Sequence, residues 1–295
     1  MFKLIKFIIG FVIFLVIAVI IFGIVIIVLN RGNKPKKVTF TSTKKVSEVT
    51  SFDINVDVKD SYVKVIKSKT DYVSITYYES KTREFERNED VDLLNNDTMT
   101  LKGYQTGSWY NRIFLTLKTT KVYGITIEMP DYANVSVKTD NGNIRFESIY
   151  AGTITAETTN GAIFFDKVEC GIASVDTING EIKASSTNTT YLFNARTRKG
   201  KITLTSLVSL LNIDARTDSG KIHIENSYAQ GSVKLHSGNG DIDGFLKLLS
   251  DAYYKITAKA HNGKCNLTNS EEGITTLEVT TDNGNIDLEL RKVIA

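Results

Sequence analysis

Residues 135–163 read VSVKTDNGNIRFESIYAGTITAETTNGAI, and they contain the pattern that decides the fold. Apolar and polar side chains alternate, an Asn-Gly pair follows, and a second alternating stretch begins. Alternation with period two is typical of strands that bury one face. Asn-Gly is a strong turn signal, and we expect both of its residues to tolerate positive φ. One unit is therefore predicted to be a strand, a tight turn, a strand and a loop.

The same unit recurs through the second half of the chain. Successive turn glycines are separated by 19 to 23 residues. A period in this range indicates a solenoid or another repeat array. The turn glycines are Gly142, Gly161, Gly180, Gly200, Gly220, Gly240, Gly263 and Gly284.

Two arrangements fit this pattern: hairpins in an antiparallel sandwich, or rungs whose strands stack in parallel on the next rung. The same residue type recurs at the same place in each rung, which favours the stack. We therefore predict an all-β, parallel β-solenoid with rungs of about 20 residues, right-handed as most parallel crossovers are. The recurring positions are an isoleucine ladder (Ile144, Ile163, Ile182, Ile202, Ile222, Ile242, Ile286, with Cys265 as a buried thiol in one rung) and a threonine ladder (Thr139, Thr158, Thr177, Thr197, Thr217, Ser237, Thr281).

The N-terminus has a different composition. Residues 7–29 form an unbroken apolar run of 23 residues. A helix of that length spans a hydrocarbon core of about 30 Å. A signal peptide would have a shorter apolar region and a cleavage site, and this sequence has neither feature. Residues 1–37 are thus predicted to be an uncleaved transmembrane anchor with basic flanks, which makes the chain a single-pass membrane protein.

The basic character of the chain belongs to this anchor. Residues 1–37 contain six Lys or Arg and no acid, so the net charge of +3 for the whole chain becomes −3 for residues 38–295. Nucleic-acid binding needs a basic face that neutralises phosphates. The composition therefore argues against a nucleic-acid partner.

The residues after the predicted anchor divide into two parts according to how regularly their strand pattern repeats. Residues 38–130 are strand-rich but irregular and are predicted to cap the solenoid, whereas residues 131–295 form the repeats. The last strand, 286–290, is followed by only five residues. If those residues do not cover it, it offers an edge for self-association.

Positive residues flank both ends of the apolar run, and the positive-inside count is close but leans towards a cytoplasmic domain. Long domains translocate despite nearby charge, and Thr- and Asn-rich β folds are common on cell surfaces. We predict an extracellular domain, with a cytoplasm-facing domain as the alternative.

Two groups of side chains are candidates for function. The outward position just before each turn reads Lys138, Glu157, Asp176, Arg196, Arg216, His236 and Lys259. Glu157 and Asp176, followed by Arg196, resemble a paired-carboxylate site, but a solvated ladder of opposite charges is the simpler interpretation. The second candidate is the aromatic segment with Tyr104, Trp109 and Tyr110, which would contact a partner or plug the end of the solenoid. We predict no catalytic residues, no metal site and no cofactor.

With these residues in view, the chain resembles the bacterial "putative adhesin" family of β-strand-repeat proteins, a domain of unknown function. The resemblance rests on the T-x-N/S-G-x-I repeats from Thr139 to Ile286 and on ITIEMPDYANVSV at 125–137. It implies a right-handed β-helix and a surface or envelope role, and it supplies no catalytic residue. Anchored members look like those encoded beside Lia-type cell-envelope stress systems.

The function predicted from the sequence is a non-enzymatic, membrane-anchored β-solenoid. It would present an interaction surface to a protein or glycan partner in the bacterial cell envelope. Two alternatives stay open: a glycan-processing β-helix enzyme, and a cytoplasm-facing scaffold for a membrane stress sensor.

Overall fold

A computed structural model describes residues 15, 35–79, 83–87, 98–105, 124–248 and 254–292. The chain divides into two compact units, Met1–Lys36 and Lys37–Ala295, and the following account concerns the second. The strands before the repeats are β1 (Lys36–Thr41), β2 (Asp53–Val58), β3 (Val63–Lys67), β4 (Ser74–Glu79), β5 (Arg83–Arg87), β6 (Thr98–Gln105) and β7 (Ile125–Met129), and a 3-10 helix covers Val46–Glu48.

The repeats supply the other strands. They are β8 (Asn134–Thr139), β9 (Ile144–Glu147), β10 (Tyr150–Thr158), β11 (Ile163–Asp166), β12 (Glu169–Thr177), β13 (Ile182–Thr197), β14 (Ile202–Ser209), β15 (Asn212–Thr217), β16 (Ile222–Ala229), β17 (Ser232–Ser237), β18 (Ile242–Leu248), β19 (Tyr254–Ala260), β20 (Thr275–Thr281) and β21 (Ile286–Lys292).

The strands stack in parallel ladders, which confirms the predicted all-β solenoid. The strands that precede the turns pair with one another and form what we call the pre-turn ladder. Their order is β6–β2–β8–β10–β12–β13–β15–β17–β20–β19. The strands that follow the turns form a second ladder, the post-turn ladder. Their order is β7–β3–β9–β11–β13–β14–β16–β18–β21. A short third ladder links the loop ends of β10, β12, β13, β14 and β16. Near the N-terminal end, β4 joins β7 and β5 joins β6 in antiparallel pairs, and β1 pairs with β4.

The order of the rungs differs from the order of the sequence at both ends. The β2–β3 rung lies between β6–β7 and β8–β9, although β6 and β7 come between them in the chain. Likewise β20 lies between β17 and β19. The order of the outward row, in which Lys259 follows His236, is therefore wrong at the C-terminal end.

The apolar content of the two C-terminal rungs explains why β20, and not β19, stacks on β17. Leu277 and Val279 of β20 are fully buried, whereas Ile256 and Ala258 of β19 are only partly buried. A rung between two neighbours buries apolar area on both sides, so the more apolar rung gains more from the inner place.

The predicted isoleucine ladder forms the centre of the core. Ile144, Ile163 and Ile182 lie opposite one another in register and are fully buried, and the same register continues to Ile286. Three phenylalanines reinforce it: the ring of Phe165 lies 4.8 Å from that of Phe146 and 5.8 Å from that of Phe193.

The threonine ladder is also confirmed, and it closes the turns. The buried Thr177 hydroxyl donates to the carbonyl of Gly161 at 3.0 Å and accepts the N–H of its own Gly180 at 3.2 Å. Similar bonds from threonine or serine to the preceding glycine recur through Thr281 and Gly240.

The reason for the turn glycines is not the one predicted. Gly180 does not have positive φ, and the described glycines that do are Gly244 and Gly273. A Cβ at Gly180 would lie 1.7 Å from the carbonyl oxygen of Gly161, so glycine is required by close approach of backbone between rungs. Positive φ instead occurs at the bend after the post-turn strand, at Ser148, Lys167, Ser186, Ser206 and Asn226.

A returning segment covers the C-terminal end of the stack. Ile256 and Ser270 exchange backbone hydrogen bonds on the outer side of β19. Asn266 accepts the N–H of Leu288 through its side chain at 3.0 Å, so the start of β21 is not a bare edge. Cys265 pairs with Ile286 at the ladder position but is exposed, because its rung is at the end of the stack. The prediction of a buried Cys265 is thus wrong. Self-association through the remainder of β21 stays a prediction.

The predicted transmembrane anchor lies outside the described residues, except for Leu15 and the last three residues of its basic flank. Within the described part of the chain, no helix combines the length and the apolar character needed to cross a membrane.

Candidate functional site

The predicted aromatic segment is only partly described. Tyr104 is the penultimate residue of β6 and pairs with Glu84 of β5 in the backbone register. Trp109 and Tyr110 lie outside the described residues. The aromatic contact surface therefore stays a prediction.

The predicted acid pair lies on neighbouring rungs of the pre-turn ladder. Glu157 is opposite Asp176 on one side and Lys138 on the other, and Asp176 is opposite Arg196. The ammonium of Lys138 lies 3.2 Å from the Glu157 carboxylate. Partial desolvation and the Glu157 charge raise the pKa of Asp176, against the opposing charges of Arg196 and Arg198.

The two acids belong to a charged row on the strand face and do not lie in a cleft. All four side chains of the row are exposed on the strand face. The two adjacent acids are bordered by cations on their outer sides, since Glu157 pairs with Lys138 and Asp176 lies opposite Arg196, and opposite charges on neighbouring strands stabilise their pairing. The geometry therefore fits the simpler interpretation, a solvated ladder of charges.

Further along the same face is a polar groove of about 270 Å³. It is lined by residues of three consecutive strands of the pre-turn ladder: Asp214, Arg216, Lys234, His236, Glu278 and Thr280, with the strand at Leu235 as part of its floor. We call it the pre-turn groove.

Two of the hydrogen-bond donors in the groove are held in place by contacts with neighbouring side chains. His236 Nδ1 shares a 2.8 Å hydrogen bond with the Thr280 hydroxyl, and Lys234 lies 3.8 Å from the Glu278 carboxylate. Arg216 has no ion pair with any residue that the structure describes. The groove can thus offer a guanidinium and an imidazole to an anionic group.

Sequence reasoning found part of this groove. Arg216 and His236 were in the predicted outward row, but Lys259 was expected beside His236. The structure places Thr280 there, because β20 is inserted between β17 and β19. Both rungs have the same pattern of strand, turn and strand, so this pattern alone does not decide which of them stacks on β17.

The post-turn face contains a separate, internally paired cluster. Asp243 contacts Lys221, and it hydrogen-bonds to His223 Nδ1 at 2.7 Å. Burial opposes ionisation of Asp243, but these two hydrogen bonds prevail and lower its pKa. His223 Nε2 also lies 3.7 Å from Glu225. The charges of this cluster are satisfied by one another.

Over the ranges that the structure describes, no three His, Cys, Asp or Glu side chains are arranged to hold a metal ion. The two cysteines do not form a disulfide. Burial raises the pKa of Cys170 to about 12, whereas Cys265 is exposed.

The stacked rungs lie within a range of residues that matches one known family. The family described as Toastrack DUF4097 matches residues 52–289. The chain belongs to this family. The resemblance found in the repeats is thereby confirmed, and the Toastrack match includes strands β2 and β3, which lie outside the regular repeats.

Solved structures similar to this Toastrack chain come from several bacteria. A "putative adhesin" of Bacteroides fragilis is 14% identical with a TM-score of 0.49, over 87% of this chain and 97% of that one. A "putative cell adhesion protein" of Clostridium sporogenes is 14% identical with a TM-score of 0.26, over 88% and 100%. A "putative lipid binding protein" of Parabacteroides distasonis is 10% identical with a TM-score of 0.22, over 87% and 97%. At these values the likenesses do not indicate a ligand for this chain.

Comparison with curated proteins found no match.

Proposed function

We propose that this Toastrack protein is a non-enzymatic binding protein of the bacterial cell envelope. Residues 7–29 tether it to the membrane, and the outer strand faces of the domain contact its partner. The observation that carries this proposal is the pre-turn groove, in which exposed polar side chains from three rungs are held at fixed spacing by the buried ladders.

The rigidity of the stack supports recognition. Each outward side chain of a rung is flanked by the buried side chains of the same strand, as Arg216 is by Ala215 and Thr217. Neighbouring strands are about 4.8 Å apart, so donors and acceptors recur at that interval along the face. A pre-organised surface loses little conformational entropy when a partner binds.

A second candidate, a glycan-processing enzyme, has one observation in its favour. The raised pKa of Asp176 beside Glu157 is a property of general acids. Turnover of a cell-wall glycan by the wild type, abolished in Glu157→Ala and Asp176→Ala, would favour the enzyme over the binding protein.

The two cysteines allow a direct test of the location. Cys265 is exposed and Cys170 is buried, and the chain has no other cysteine. We expect a membrane-impermeant maleimide to label the full-length protein at Cys265 in intact cells, and Cys265→Ser to abolish the labelling.

Permeabilised cells provide the matched control, because they report the same thiol without the membrane barrier. Labelling that appears only after permeabilisation would contradict the proposal and favour the cytoplasm-facing scaffold.

A further inference from the structure

The turn of the Gly200 rung differs from the other turns in its charge. Five basic residues surround it: Arg196, Arg198, Lys199, Lys201 and Arg216, which we call the basic corner. All five side chains are exposed. None of them forms an ion pair or hydrogen bond with any described residue.

Several cations elsewhere on the same faces do have partners among the described residues, whereas the isolated Lys183 and Lys259 do not. Lys138 pairs with Glu157, Lys221 with Asp243, and Lys234 with Glu278. Carboxylates flank the basic corner at Asp176, Glu181, Asp214 and Asp218, but none is within ion-pair distance of its cations. The corner is therefore a concentrated positive surface on a domain whose net charge is negative.

The basic corner also interrupts a stabilising feature of the turns. The side-chain amides of Asn141, Asn160 and Asn179 form a hydrogen-bonded ladder, with bonds of 2.6 and 2.7 Å. Lys199 occupies the next position of that ladder, and Arg196 lies directly opposite Arg216. Like charges opposite each other on neighbouring strands are unfavourable. Such local conflicts are expected where residues serve a ligand rather than the fold.

The arrangement of the donors indicates the chemistry of that ligand. Arg196 and Arg216 extend from the strand face, Arg198 and Lys199 from the turn, and Lys201 from the start of the post-turn side. A guanidinium fork matches carboxylate and phosphate alike, but phosphate has further oxygens that can accept from the other cations around the bend. Arg216 also lines the pre-turn groove, so a chain bound at the corner can continue along that face.

We propose that the basic corner binds a linear phosphate-bearing polymer of the cell envelope, which continues into the pre-turn groove. This inference rests on the proposed function and names the partner. No aromatic side chain belongs to the corner, so it lacks the stacking platform that single-stranded nucleic acids use.

The substitutions for the test copy residues that occupy the equivalent positions of other rungs, so the fold is expected to accommodate them. The variant R198T/K199N/K201A replaces the turn of the Gly200 rung with the residues found at 159–162. The control K255T/K259T/K264N removes the same charge four rungs away, and it copies the residues opposite on β20 and its turn.

The experiment measures binding of full-length protein in neutral detergent to inorganic polyphosphate. We expect the corner variant to bind about tenfold more weakly than the wild type, and the control variant to bind as the wild type does. Polygalacturonate, an oligonucleotide and phosphatidylglycerol vesicles are the comparison ligands.

Three outcomes would overturn the inference. They are equal losses in the two variants, binding of polygalacturonate as tight as that of polyphosphate, or preference for the oligonucleotide or the vesicles. Thermal unfolding of both variants by circular dichroism separates lost binding from lost structure. Because binding of the purified protein does not depend on its orientation in the cell, failure here is distinguishable from failure of the maleimide test.

Discussion

The turn glycines allow a sharp test of how the rungs pack. A Cβ at Gly180 would lie 1.7 Å from the Gly161 carbonyl oxygen, which also accepts the Thr177 hydroxyl. Relieving this overlap requires the two rungs to separate at the turn. Overpacking costs about 1–3 kcal/mol and buried groups left unpaired add about 1–3 kcal/mol, so Gly180→Ala should lower the free energy of unfolding by about 2–6 kcal/mol.

A comparison of substitutions distinguishes close approach from positive φ. If positive φ were the requirement, Asn would be tolerated far better than Ala, because Asn adopts the left-handed region readily. If close approach is the requirement, Gly180→Asn is at least as damaging as Gly180→Ala. Ser186 provides the opposite case, since its φ is +50°. Ser186→Gly should be neutral or stabilise by up to about 1 kcal/mol.

Urea unfolding of the full-length chain, followed by circular dichroism, measures all three variants. A Gly180→Asn protein close to wild type in stability would refute the account of the turn.

Three further predictions concern residues in and beside the turns of neighbouring rungs. Thr177→Val should cost about 1–3 kcal/mol in urea unfolding because it leaves the Gly161 carbonyl unpaired, whereas Thr177→Ser should retain most of the stability. The raised pKa of Asp176 means that its ionisation opposes folding, a penalty that grows as pH rises through its unfolded pKa. Asp176→Asn should therefore raise the melting temperature at pH 7 and leave it unchanged well below pH 4. Lys199→Asn should extend the amide ladder from Asn179 and stabilise the domain by about 0.5–1.5 kcal/mol; a lower melting temperature would contradict this.

The repeated positions were predictable because the rungs repeat the same physical problem. Ile182 recurs at a place where each side chain packs on its equivalents above and below, and Thr177 at a place where each hydroxyl bridges two turns. Period and residue type were enough to place both ladders and the outward row that contains Arg216.

Other features have no local signal in the sequence. Ser186 has positive φ without being Gly, Asn or Asp, so turn chemistry does not mark its bend. The neighbour of His236 depends on whether β19 or β20 stacks on β17, and the strand-turn-strand pattern that the two rungs share does not show which of them does. The outward row was consequently predicted with Lys259 beside His236, where the structure has Thr280.

The residues that line the pre-turn groove, and the neighbours at the ends of each row of outward side chains, depend on the order in which the rungs stack. Disulfide trapping tests that order directly. Lys234 and Glu278 are opposite each other on adjacent strands, whereas Thr257 is one strand further away. Adjacent strands are about 4.8 Å apart, within the Cα separation of about 4.4–6.8 Å that a disulfide requires, and a separation of two strands exceeds it.

In a Cys265→Ser background, we expect mild oxidation to link K234C with E278C and to leave K234C and T257C unlinked. Efficient linkage of K234C with T257C, without linkage to E278C, would contradict the stacking order and the groove built on it.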